Sequence, residues 1–233
     1  MKGIKRIVIV LGTCLSVVLG LAGCGPTFEE RTEEMLAYMN AKYGVEFQVD
    51  WDSQALTREY HSWNCSIKGN TDESQRGKIE VQNWYDKEEE PYVDTYFSIM
   101  VYPVVEERVT AALNGVTEQY KIYVGDSSFV DNKYHSIEQF DEYLKEYGND
   151  FAGYVVKVAV PDQGDEATNE ALSHQIKECL VSANIGNAYF NIFFMSEEVY
   201  ESMDKSNMMD VKQDSYVYRY AGRVMASEEE IYK

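Results

Sequence analysis

Three histidines, His61, His135 and His174, are the side chains of this 233-residue sequence best suited to proton transfer near neutral pH. No two of them stand three or four residues apart, and no His-Glu-x-x-His run occurs, so no metal site is expected. Asp50-Trp51-Asp52 and the stretch 126–131 carry carboxylates in turn-like contexts. Neither has the alternating oxygen ligands, central Gly and closing Glu of a calcium loop. The runs Asp86-Lys87-Glu88-Glu89-Glu90 and Glu228-Glu229-Glu230 read as a solvated loop and tail. Ser127 and Ser128 lie in no nucleophile elbow, and no phosphate loop is present, so no cofactor is expected. Paired carboxylates for hydrolysis assemble only in three dimensions, which keeps that chemistry open.

Aromatic residues form the suggestive set. Trp51, Tyr60, Trp63, Trp84, Tyr85 and Tyr92 fall close together in sequence. Rings on an open sheet face can stack on sugars or grip peptides, and Trp63, Trp84 and Tyr85 are the candidate ligand-binding residues. The competing reading is core filling, since strands favour Trp and Tyr. Tyr60 falls on the face opposite Trp63, so the set cannot act as one. Cys65 and Cys179 could form a disulfide outside the cytoplasm. Each also lies on an apolar face, where a free Cys behaves as a small hydrophobe.

The elements that must position these residues follow from periodicity. Thr27 and Glu30 have capping-box spacing, and Phe28, Met35, Leu36, Met39 and Tyr43 recur at helical spacing up to Gly44. Val45, Phe47, Val49 and Trp51 alternate in a strand, as do His61, Trp63, Cys65 and Ile67; Ile79 and Val81 mark a third. These three predict an antiparallel meander. Residues 92–113 are mostly helical by pattern, with Val105, Val109, Ala112 and Leu113 on one face, and Pro103 must kink or restart the helix. Tyr120, Ile122 and Val124 predict a strand. Ser136 and Gln139 have capping-box spacing before a helix whose apolar face is Ile137, Phe140, Leu144 and Tyr147. Val156, Val158 and Val160 form a strand stopped by Pro161, and Leu172, Ile176, Cys179, Leu180 and Ala183 an amphipathic helix. Residues 189–195 are apolar on both faces, which predicts a central strand. A short helix follows Ser196, and Tyr216, Tyr218 and Tyr220 alternate in a last strand.

This order predicts an α+β fold, with helices packed on mixed or antiparallel sheets. A meander region comes first and alternating β and α elements follow. The echo between Tyr38–Gly44 and Tyr143–Gly148 reads as two Gly-terminated helices looking alike. Two α/β sub-modules, about 27–115 and 116–226, would fit the same order.

The N-terminus carries Lys2, Lys5 and Arg6, then an apolar run from Ile7 to Ala22. A basic start, a short apolar stretch and small residues before a cut site make a secretory signal. The run is shorter than the ~20 residues of a comfortable membrane span. Leu21-Ala22-Gly23-Cys24 then resembles the lipobox of bacterial lipoproteins. That resemblance implies a diacylglycerol on the Cys24 thiol, cleavage between Gly23 and Cys24, and a mature body of residues 24–233 on the extracytoplasmic face of the cell membrane. Two acyl chains make a stable tether where one holds only marginally. The block Glu34–Val49, with its Tyr43-Gly44-Val45-Glu46-Phe47 helix exit, and the stretch Tyr92-Val93-Asp94-Thr95-Tyr96 resemble small uncharacterised lipoproteins of Gram-positive bacteria. That group implies a compartment and no activity.

With 21 Lys and Arg against 40 Asp and Glu, the net charge is −19, and loss of the basic signal makes the mature body more acidic still. Such a charge opposes nucleic acid and anionic headgroups, so neither is an expected partner of the folded part. The expected function is a membrane-anchored, non-enzymatic binding module for a protein, peptide or glycan of the envelope. The rivals are an envelope hydrolase using paired carboxylates, and an inhibitor or immunity-type protein for a basic target.

Overall fold

The computed structural model describes residues 27–53, 60–71, 76–84, 92–125, 133–147, 151–224 and 231–232. Gly23, Cys24, Tyr85, the acidic runs and the 126–131 stretch lie outside these. The chain divides into two compact units, 1–48 and 49–233.

In the first unit, Thr27 opens helix α1 (Phe28–Tyr43) with both halves of a capping box: the Glu30 amide donates to Thr27 Oγ1 at 3.2 Å, and the Thr27 amide to Glu30 Oε2 at 2.7 Å. Gly44 closes the helix at φ 70°, a left-handed conformation that costs glycine nothing. Met35 and Met39 are buried, whereas Phe28, expected on the same face, is exposed at the first turn. Asn40 Oδ1 accepts the Phe47 amide at 2.8 Å and so ties the helix to the strand that follows it.

Along the chain two sheets follow one another, the first beginning at the boundary between the units. The first has the order β1-β2-β3-β4: β1 (Phe47–Ser53), β2 (Tyr60–Ile67), β3 (Ile79–Trp84) and β4 (Tyr92–Asp94). β2–β3 and β3–β4 are antiparallel, as a meander requires. The short β4 takes the first residues of the run expected to be mostly helix. Thr95 extends the β3–β4 pairing by one residue: its amide donates to Glu80 O at 3.0 Å, and its Oγ1 accepts from the Glu80 amide at 2.9 Å. Asp94 Oδ1 then accepts the Tyr96 amide at 2.9 Å, and helix α2 (Tyr96–Leu113) begins.

Pro103 lies inside α2 and the helix runs on through it without restarting. The ring removes one backbone donor, a loss that ordinarily costs about 3 kcal/mol. Phe97 and Val101 before it, and Val105, Val109 and Leu113 after it, are all buried at four-residue spacing. Anchorage on both sides of the proline keeps the two halves in one continuous helix.

The second sheet has the order β5-β6-β7-β8-β9, with β5 (Lys121–Gly125), β6 (Phe151–Pro161), β7 (Asn187–Met195), β8 (Tyr218–Val224) and β9 (Ile231–Tyr232). Strand β7 is central, as its two apolar faces require. β6 and β7 are parallel and the other pairs antiparallel. A parallel pair needs a crossover, and α4 (Glu166–Ser182) supplies it. Asp165 caps α4 by accepting the Thr168 amide at 2.9 Å. The main core forms where α2, α3 (Phe140–Tyr147) and α4 cover one face of this sheet. Ile122, Val124, Val156, Val158, Phe190 and Ile192 supply the strand side of it.

Described elements cover half of the opposite face. After β7 the chain turns back through α5 (Glu197–Ser202) and α6 (Lys205–Met209), and Tyr200, Met203 and Met208 pack on Ala159, Phe193 and Met195. The architecture is α+β. The strands of the first sheet lie within residues 47–94 and those of the second within 121–232.

Candidate ligand-binding face

The half of that second face that no described element covers carries the most distinctive chemistry of the described residues. Strands β5 to β8 contain no Asp or Glu, in a chain with 40 of them. Their four cations are Lys121, Lys157, Arg219 and Arg223. Each alternates with residues of the main core, so period two sends all four to the outer face. Register sets them in rows. Lys121, Ala159, Phe193 and Arg219 lie across the sheet in one row; Tyr123, Lys157, Asn191 and Ala221 form the next; Val155, Tyr189 and Arg223 the third.

The cations are held in different ways. Lys121 is structural: its Nζ donates to the carbonyls of Tyr200, Glu201 and Met203 at 2.5, 3.1 and 2.8 Å. A cation there closes the C-terminal end of α5. Its charge also helps hold the Asp204 carboxyl below its ordinary range, after the amide and hydroxyl bonds from Asn207 and Ser206. Lys157 Nζ donates to Met209 O at 2.6 Å and stands 5.3 Å from the Tyr123 ring centre. Arg219 Nε donates to Asn191 Oδ1 at 3.0 Å, with its guanidinium 5.9 Å from the Phe193 ring. Arg223 donates to the Tyr189 hydroxyl and sits 4.6 Å from that ring. Such cation–ring pairs contribute about 0.5–1 kcal/mol each when exposed. Arg219 and Lys157 have no carboxylate partner among the described residues. Lys78, from the turn before β3, brings a further ammonium to 4.0 Å from Met209 Sδ at the rim.

Tyr123 is fixed from both sides. A Cβ built on Gly125 would fall 2.2–2.4 Å from the Tyr123 ring and hydroxyl, so the ring lies flat over that glycine with Lys157 above it. The result is an ordered array of amide, phenol and cationic donors, suited to anionic acceptors.

No family model matches this chain, and no curated protein matches it. A solved structure of a DUF5037 family protein from Ruminococcus gnavus ATCC 29149 is similar over 88% of this chain and 95% of the other, with a TM-score of 0.48 and 14% identity.

The aromatic residues singled out by sequence go elsewhere. Trp63 is 0% exposed, packed on His61 at 4.5 Å and against Tyr92 at 6.5 Å, so it is core and cannot meet a ligand at the surface. Trp84 pairs with Tyr60 across β2–β3, with ring centres 4.9 Å apart, on the face opposite Trp63. The antiparallel register sets Val81, not Trp84, opposite Trp63. Tyr85 is outside the described residues. Cys65 and Cys179 are both free. One is interior to the first sheet and the other is on α4 against the second sheet's core, as the reading of each as a small hydrophobe requires rather than the possible bridge.

Of the histidines, His61 is buried, and His135 and His174 are exposed. Among the described residues no group of three or more potential ligands could hold a metal. Asp50 and Asp94 both bear electrostatically on Cys65, and each accepts a backbone amide: Asp50 from Gly77 at 2.8 Å, Asp94 from Tyr96 at 2.9 Å.

Gly77 has a second demand on it. It sits at φ +62°, and an added Cβ would fall 2.0–2.6 Å from the indole of the half-exposed Trp51. Gly77→Ala is expected to cost about 1–3 kcal/mol, from left-handed strain and displacement of that indole. Urea titration followed by tryptophan fluorescence reads both effects.

The cationic face is not legible as a whole in the sequence, because its residues come from four strands that only pairing brings together. A signal existed in β8, where Tyr218 and Tyr220 alternate with Arg219 and Ala221, and Arg223 follows on the same phase. Nothing in the sequence places Lys157 beside them.

Proposed function

We propose that this chain is a lipoprotein, tethered through Cys24 to the extracytoplasmic face of the cell membrane, whose body is a non-enzymatic module binding an anionic ligand. The observation that carries the binding reading is the segregation of cations. Lys157, Arg219 and Arg223 share one sheet face that the described helices only half cover and whose strands hold no acidic residue. Chance would scatter cations among carboxylates in so acidic a chain. The tether rests on Leu21-Ala22-Gly23-Cys24 behind a basic and apolar leader. Among the described residues no helix is long and apolar enough to cross a membrane.

Two measurements test the two halves. Cys24→Ser should move the protein from the membrane to the soluble fraction and remove the lipid mass; unchanged fractionation and mass would defeat the tether. Lys157→Gln, Arg219→Gln and Arg223→Gln together should abolish recovery of envelope components that co-purify with the native protein. Recovery undiminished by the triple change would defeat the face. The acidic remainder of the chain favours a second reading, capture of a basic protein as an inhibitor or immunity-type partner. That binding would survive the triple change and vanish in high salt.

A further inference from the structure

Resting on the reading of this face as a binding surface, we infer that its ligand is an extended, carboxylate-bearing peptide segment of a partner protein, lying along β8. Arg219 and Arg223 point to the same side four residues apart, which on a strand is roughly 13 Å. An extended peptide repeats at the same pitch, so acidic side chains at positions i and i+4 meet both guanidinium groups. In a helix the same two positions are only about 5–6 Å apart and cannot span them. Between the arginines stands Ala221, a small residue that leaves a shallow floor for the peptide backbone. Beside it Asn191 accepts from Arg219 through Oδ1, which leaves its Nδ2 to donate to a peptide carbonyl. Lys157, across Asn191 in the same row as Ala221, meets a third carboxylate.

Other anionic ligands fit less well. The Tyr123 ring lies between Gly125 and Lys157, and Tyr189 and Phe193 carry guanidinium groups, so these rings are poorly placed to stack on sugars. A phosphate-dense polymer or an anionic bilayer would bring far more negative charge than three spaced cations neutralise, against a chain of net charge −19. A short segment with two or three carboxylates matches the cation count, and the planar fork of arginine takes a carboxylate through two parallel bonds.

The test uses the purified full chain and a labelled peptide built on Glu-Thr-Val-Thr-Glu, read by fluorescence anisotropy. A Gln-Thr-Val-Thr-Gln peptide should bind at least about tenfold more weakly, and Arg219→Gln or Arg223→Gln should each weaken the Glu peptide by about tenfold. Arg219→Lys should restore only part of the loss, because an ammonium lacks the fork. Binding should fade toward 1 M salt, where the screening length is about 3 Å. Circular dichroism confirms that each variant is folded. Equal affinity for the Glu and Gln peptides overturns the assignment. Binding of phosphatidylglycerol vesicles or poly(glycerol phosphate) in place of the peptide, lost with the same arginines, also overturns it but leaves the face a binding surface. If neither peptide nor polyanion binds and the triple variant keeps every envelope partner, both readings fall.

Discussion

Trp63→Ala is expected to destabilise the fold by about 3–5 kcal/mol, the range for emptying a large aromatic site in a core. Domains of this size are stable by only about 5–15 kcal/mol, so the variant sits near the limit of folding. The indole is fully buried on β2, with Val81 directly across on β3 and the rings of His61 and Tyr92 tilted against it. None of these can close the void without moving strand backbone. Trp84→Ala provides the contrast. That ring is half-buried against Tyr60, and an aromatic pair of this kind contributes about 0.5–1.5 kcal/mol beyond area. Urea denaturation followed by circular dichroism should therefore separate the two by several-fold in free energy. A Trp63→Ala protein as stable as the native one would mean that the indole is not a core residue, and would return it to the list of ligand contacts.

Cys65 should resist alkylation in the native protein at pH 8 by about three orders of magnitude relative to an unfolded thiol, because only the thiolate reacts. Burial pushes its pKa up to about 12, and the negative charges of Asp50 and Asp94 push in the same direction. Cys179, half-buried on α4, is raised too, by burial and by Glu178, yet remains the more accessible and should be labelled first. Iodoacetamide labelling with and without urea, mapped by mass spectrometry, reads both sites. Rapid native labelling of Cys65 would contradict its interior position. The same shift has a consequence for stability. The folded pKa of Cys65 lies above the unfolded value near 9, so the folded state keeps the proton longer. Its contribution is full below about pH 8.5 and is lost as pH rises toward 12. The helix caps act at the other end of the scale. Hydrogen bonds from Thr27 to Glu30 and from Thr168 to Asp165 hold those carboxyls below their ordinary range. Their stabilisation is present above the usual carboxylate pKa near 4 and fades as pH falls through the lowered values.

The chain's local signals translated well where the physics is local. The capping boxes at Thr27 and Ser136 form, because a cap needs only residues three apart. Strand β7 is central because a segment apolar on both faces has nowhere else to go. Short elements escaped: β4, α6 and β9 hold three, five and two residues, too few for any period to register. At Pro103 the helix does not restart. The proline's local cost is genuine, but Phe97 and Leu113 are both fixed in the core, and tertiary packing carried the helix across.

By itself the sequence determined the α+β class, the order of its main elements and their caps, since these follow from periods of two and 3.6 and from side chains within reach of their own backbone. The lipobox resemblance at Leu21–Cys24 likewise belongs to sequence alone. Only tertiary structure decided which residues meet. Trp63 and Trp84, close in sequence, were sent to opposite faces by a register that pairs residues 60 and 84. Lys157, Asn191, Arg219 and Arg223, distant in sequence, were brought onto one face by the order β6-β7-β8. A strand's alternation fixes which side a residue takes, but its neighbours there come from other strands, and hydrogen-bonded pairing chooses them over separations that no local pattern encodes.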